Sequence, residues 1–82
     1  MIQSKRDSLK EKTLQYVASF LTEGYNIVSL VYLSPKYVCI LRHSRNGNQI
    51  EVIATEKYVY VYKRSHSTST SAYKLKKRDV WK

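Results

Sequence analysis

The 82-residue sequence holds few of the residues that staple, hinge or break a chain: one cysteine, one proline and two glycines. A lone thiol, Cys39, cannot close an internal disulfide, which fits a reducing compartment. The two glycines, Gly24 and Gly47, are both needed for a helix cap and a turn, so no phosphate-cradling glycine loop can be built. No apolar run approaches the roughly 20 residues of a membrane span. The opening "MIQSKRDSLKEK" carries charge with no apolar stretch behind it, unlike a secretory leader. No carboxylate pair and no Cys/His metal spacing occurs either, so no metal and no cofactor are expected. These absences predict a cytoplasmic protein, or a nuclear one in a eukaryotic setting, without a membrane partner.

Acidic residues are also scarce, six against fifteen Lys and Arg, leaving a net charge of +9 and a pI near 9.8. So lopsided a small chain attracts polyanions, nucleic acid or an acidic protein, although excess charge also serves solubility alone. At this length one small domain with a thin core is expected, and 43% hydrophobic residues is enough to fold it.

The periodicity changes once. Ser8 and Glu11 have capping-box spacing, and Gly24 sits where a left-handed C-terminal cap belongs. Between them Leu9, Leu14, Tyr16, Val17, Ala18, Phe20 and Leu21 form a broad apolar arc, which predicts a helix buried on more than one side. After Gly24 the period becomes two: "NIVSLVYL", "YVCILRH", "QIEVIAT" and "YVYVYKR" are rich in β-branched and aromatic residues. Short turn-forming links, "SPK", "RNGN" and "EK", separate them. The fold class is therefore α+β: an N-terminal helix packed on one face of a four- to five-stranded antiparallel meander sheet. Residues 1–64 form the single domain, and 65–82 a Ser/Thr-rich loop followed by a basic C-terminal arm or edge strand.

Two-residue loops at Pro35–Lys36, Asn46–Gly47 and Glu56–Lys57 predict a register. They put Tyr32 opposite Cys39, Arg42 opposite Glu51 as an ion pair, and Ile53 opposite Tyr60. One face then collects Val28, Leu30, Tyr32, Cys39, Leu41, Ile50, Val52, Ala54, Val59 and Val61, where the helix should lie. The other collects Ile27, Val31, Leu33, Val38, Ile40, Ile53, Tyr58, Tyr60 and Tyr62, edged by Arg42 and Glu51. A solvated sheet face is normally polar. This one is apolar and aromatic, so a ligand, a protein or the C-terminal segment should cover it.

Aromatic rings among cations are the usual platform for single-stranded nucleic acid, since any base stacks on a ring and cations hold phosphates. Tyr58, Tyr60 and Tyr62 are the candidate rings. Lys57, Lys63, Arg64, Arg42 and Arg45 are candidate phosphate contacts, with Lys63 alternating to the edge of the core side. The basic tail adds Lys74, Lys76, Lys77, Arg78 and Lys82, and Trp81 adds a ring that needs something to pack on. Cross-strand Tyr pairs also stabilise sheets without a ligand, and half-apolar faces also make homodimers. Lys5, Arg6, Lys10 and Lys12 gather at the helix start, where cations oppose the helix dipole.

Catalytic groupings are weak. Cys39 and His43 share a face but lie four strand positions apart, roughly 13 Å, beyond the reach of a nucleophile–base pair. His43 and His66 could form an acid–base pair only if the fold joined them. The expected function is non-catalytic nucleic-acid binding, with single strands favoured because the only helix is engaged in packing. The alternative is a small virus- or plasmid-encoded inhibitor that docks on an acidic host protein through the apolar sheet face.

Overall fold

A computed structural model describes residues 5–64 and 74–81, with side chains for 6–64 and 77–81. The Ser/Thr-rich stretch with His66, the side chains of Lys5, Lys74 and Lys76, and Lys82 lie outside the described residues. Helix α1 spans Lys5–Thr22. It starts a turn earlier than the Ser8–Glu11 spacing suggests, so Ser8 lies within the helix, and Asp7 supplies the acid that favours a first turn. Gly24 ends it as expected, with φ +103° and its N–H donated to Leu21 O at 3.2 Å.

Five strands follow: β1 (Tyr25–Leu33), β2 (Lys36–His43), β3 (Gln49–Ala54), β4 (Tyr58–Arg64) and β5 (Lys74–Val80). They pair antiparallel in chain order, β1-β2-β3-β4-β5, so the described sheet is an open meander with β1 and β5 at its edges. Helix α1 packs across β1, β2 and β3 and covers one face. The core there comprises Leu9, Val17, Tyr25, Tyr37, Cys39, Leu41, Ile50, Val52, Ala54, Val59 and Val61, with Leu30, Tyr32, Tyr16, Phe20 and Trp81 packed around it. Thr13 is buried among them because its hydroxyl donates to Leu9 O at 2.7 Å. The helix arc is narrower than its composition suggests: Leu14, Ala18 and Leu21 are exposed.

The third hairpin has the expected register, with Ala54 opposite Val59 and Ile53 opposite Tyr60. The first two differ by two positions. The first turn is Ser34–Pro35 rather than Pro35–Lys36, so Tyr32 faces Tyr37, with ring centroids 4.9 Å apart, and Cys39 faces Leu30. The second loop has four residues, 44–47, closed by His43 N–H to Asn48 O at 2.8 Å. Glu51 consequently lies between Ile40 and Tyr62, and Arg42 faces Gln49, which replaces the expected Arg42–Glu51 pair. Two-position shifts preserve side-chain faces, so the core survives them.

A bulge between Ile27 and Ser29 does not preserve them. It brings Tyr25 into the core and Ile27 opposite Leu41 on the helix side, and turns Val28, expected in the core, out to solvent. Burial of a large ring between Phe20 (centroids 6.0 Å) and His43 (4.9 Å) outweighs that of one valine.

Candidate nucleic-acid interface

The face away from α1 is laid out by the pairing. One row across all five strands reads Val31, Val38, Ile53, Tyr60, Arg78, and the next reads Ser29, Ile40, Glu51, Tyr62, with Leu75 in the β5 position. Character thus changes from aliphatic at β1 to aromatic and cationic at β4 and β5. Strand β4 presents Tyr58, Tyr60, Tyr62 and Arg64 in succession on this face, because side chains alternate and 59, 61 and 63 turn to the helix.

The three rings are half-buried by their neighbours, with no helix over them among the described residues. Tyr58 and Tyr60 have centroids 6.2 Å apart and planes at 46°, so each offers its own face rather than stacking on the other. The Arg78 guanidinium lies 5.2 Å from the Tyr58 centroid, a cation–π pair joining β5 to β4. Arg64 donates to the Gln49 side-chain oxygen at 2.7 Å. The Gln49 amide is itself buried and, by register, lies between Arg42 and Arg64. Gln49 therefore fixes Arg64, a role that "QIEVIA" signals only through alternation. Arg45 is exposed in the β2–β3 loop and Lys57 in the β3–β4 turn, at opposite ends of the sheet.

Three candidates lie on the opposite side. Lys63 faces Ile50, and Lys77 faces Val61 and forms an ion pair with Asp79 at 3.1 Å. Both border a groove of about 740 Å³ beside α1, whose lining includes Phe20, Tyr25, Ile50 and Val61. Trp81 also turns to the helix: its Nε1–H donates to Thr55 O at 2.6 Å and its ring meets Tyr16 edge-on at 5.9 Å. The packing partner that a lone tryptophan needs is thus α1. Tyr16 O–H donates to Asp79 at 2.8 Å. Burial and that bond push the Tyr16 phenol up to about 12, and the same bond with Lys77 holds the Asp79 carboxyl below its ordinary value. Strand β5 lies beside β4 in the sheet, not over the tyrosines. Lys74 and Lys76 belong to β5, Lys76 at a bulge opposite the Val61–Tyr62 step.

At the helix start, Arg6 lies 4.9 Å from the Tyr32 centroid and donates to Tyr37 O–H at 3.3 Å, so it caps the core rather than extending the sheet face.

Cys39 and His43 both have structural surroundings. Cys39 is fully buried, and burial raises its thiol to about 11. His43 Nδ1 accepts the Arg45 N–H at 3.1 Å, which leaves the ring proton on Nε2 to donate to Glu23 O at 3.0 Å. Both nitrogens serve to tie the 44–47 loop to the end of α1. Among the described residues no cluster of three His, Cys, Asp or Glu could hold a metal, and no helix is long and apolar enough to cross a membrane. No family model, curated protein or solved structure matches the chain.

Proposed function

We propose that the protein binds nucleic acid without catalysis, through the β4–β5 part of the sheet face that α1 leaves open. The observation that carries this reading is Tyr58, Tyr60, Tyr62 and Arg64 in succession on one strand, with Arg78 over Tyr58. Bases stack on the phenol rings, while Arg42, Arg64 and Arg78 hold phosphates on the same face. Lys57 and Arg45 extend the positive field past its two ends. Single strands suit such a platform better than duplex, because stacking needs unpaired bases and α1 is engaged against the sheet. The setting is the cytoplasm, or the nucleus of a eukaryotic host.

The test is a binding titration with single-stranded DNA, duplex DNA and RNA at two salt concentrations. With about four phosphates neutralised, single-strand affinity falls about 50-fold between roughly 50 and 200 mM salt. No binding at low salt to any of the three overturns the reading.

The aliphatic half of the same face, Val31, Leu33, Val38 and Ile40, favours a second reading: an acidic host protein docked there by a small virus- or plasmid-encoded inhibitor. A tight host-protein complex, formed by a chain that ignores nucleic acid, would support it.

A further inference from the structure

Seven large hydrophobic side chains are exposed among the described residues, and six gather at one end of the sheet. Ile27, Val28, Val31 and Leu33 belong to β1, with Val28 56% and Leu33 52% exposed. Leu14 and Leu21 lie seven residues apart on α1, so they share a helix face, about 100° from the line of Leu9, Thr13 and Val17 that enters the core. Tyr16 and Lys12, on the opposite flank of α1, contact Trp81 beyond β5, which leaves the Leu14–Leu21 flank on the β1 side. Only Val80 lies at the other edge.

The strand itself is unusual for an edge. "YNIVSLVYL" has nine residues and no charge, in a chain of net charge +9. Edge strands are normally protected by lysine, proline or shortness. Here the only such device is the bulge at Val28, and among the described residues nothing pairs with the outer side of β1.

From this we infer that β1 is a homodimer interface, in which β1 of one copy pairs antiparallel with β1 of a second across a two-fold axis. A strip without cations offers nucleic acid no phosphate contact, and no charge by which an acidic protein would be preferred to an uncharged one. A second copy does match it: it brings an equally uncharged edge, and antiparallel pairing of one strand with itself is two-fold symmetric by construction. Pairing would satisfy the free backbone groups of β1. It would also join Val28, Val31, Leu33, Leu14 and Leu21 of the two copies in one shared apolar surface. The cations of β4 and β5 stay three to four strand spacings away, roughly 14 to 19 Å, beyond the screening length of about 8 Å at physiological salt. This inference is independent of nucleic-acid binding and is tested without nucleic acid.

The experiment is mass measurement of the full chain by light scattering and sedimentation, from about 1 to 100 μM at low and high salt. The expected mass is twice 9.7 kDa, with the dimer favoured at high salt because screening relieves repulsion between two +9 chains. Val31→Lys and, separately, Leu33→Lys should weaken dimerisation about 100-fold, by placing a charged side chain from each copy in the shared apolar strip. Both sites are exposed, so circular dichroism should report an unchanged fold. Val80→Lys, at the far edge, should leave the dimer intact. A monomer throughout the concentration range, an assembly larger than two, a dimer that survives both β1 variants in folded form, or one equally sensitive to Val80→Lys overturns the proposal.

Discussion

The two edges of this sheet are built in opposite ways. Strand β5, "KLKKRDV", carries five charges in seven residues, whereas β1 carries none in nine. A charged edge repels further strands and attracts polyanions; an uncharged one invites pairing. The edges are also tied to the helix differently. Strand β5 is held through Trp81 and Asp79, which both contact Tyr16. The start of β1 is held by the helix end, where His43 bonds Glu23 O and Ser44 N–H bonds Gly24 O at 3.1 Å. The uncharged edge and the edge richest in charge thus lie at opposite sides of one sheet, with Lys36 and Arg42 of β2 the strand cations nearest β1.

The comparison can be broken at several points. The largest effect is expected from the platform. Replacing Tyr58, Tyr60 and Tyr62 together with serine removes stacking at roughly 1 to 3 kcal/mol per base. Two lost stacks weaken single-strand affinity at least about 30-fold. On a strand of about six nucleotides, too short to bridge two copies, Val31→Lys should leave affinity nearly unchanged. If instead the β1 variant abolishes binding and the tyrosine variant does not, the edges have been assigned the wrong way round.

Next come the ties. Gly24→Ala should destabilise the fold by about 2 kcal/mol, because alanine resists positive φ and the added Cβ would lie 2.9 Å from His43 Nε2. Denaturant unfolding measures this, and loss of β1 amide protection before that of β3 would locate it. Trp81→Phe removes the bond to Thr55 O while keeping a ring, and should lower stability by about 1 kcal/mol, loosening β5 first.

The smallest effect is in pH. The Tyr16 phenol is held above its ordinary value of 10.0, at about 12, so the neutral form is preferred in the folded chain. The stability this supplies is complete below pH 10 and is lost as pH rises through about 12. After allowance for solvent screening it is on the order of 1 kcal/mol. Asp79 has the reverse sign: its lowered value supplies stability above the ordinary carboxylate range that is lost on acidification through the depressed value. Tyr16→Phe should flatten the alkaline limb of the stability curve relative to the parent, and an unchanged limb would show that the Tyr16–Asp79 bond contributes nothing.

Much of this architecture is legible in residue order, and its errors share a cause. Alternation from Tyr37 to Arg64 places Cys39, Leu41, Ile50, Val52, Ala54, Val59 and Val61 on the buried face and the three tyrosines on the other, as found. Turn length is harder to read: "SPK" and "RNGN" each admit a loop that moves the register by two, which leaves faces intact but changes partners. This is how the expected Arg42–Glu51 pair becomes Arg42 opposite Gln49. The candidate cations divide for a similar reason. Lys63 follows strict alternation to the helix side, while Lys77 and Trp81 follow a β5 pairing whose bulge at Lys76 has no local signal.

The order of residues by itself determined the helix, the strands, one of the three turns and the existence of two apolar sheet faces, because period and turn chemistry act between near neighbours along the chain. Only the tertiary structure decided that Tyr25 enters the core at the expense of Val28, that Trp81 packs on Tyr16 rather than joining the other aromatics, and that β1 forms an uncharged edge. Those outcomes depend on contacts between residues such as Tyr25 and His43, or Tyr16 and Asp79, which lie far apart in sequence. Such contacts exist only once the sheet has brought the residues together.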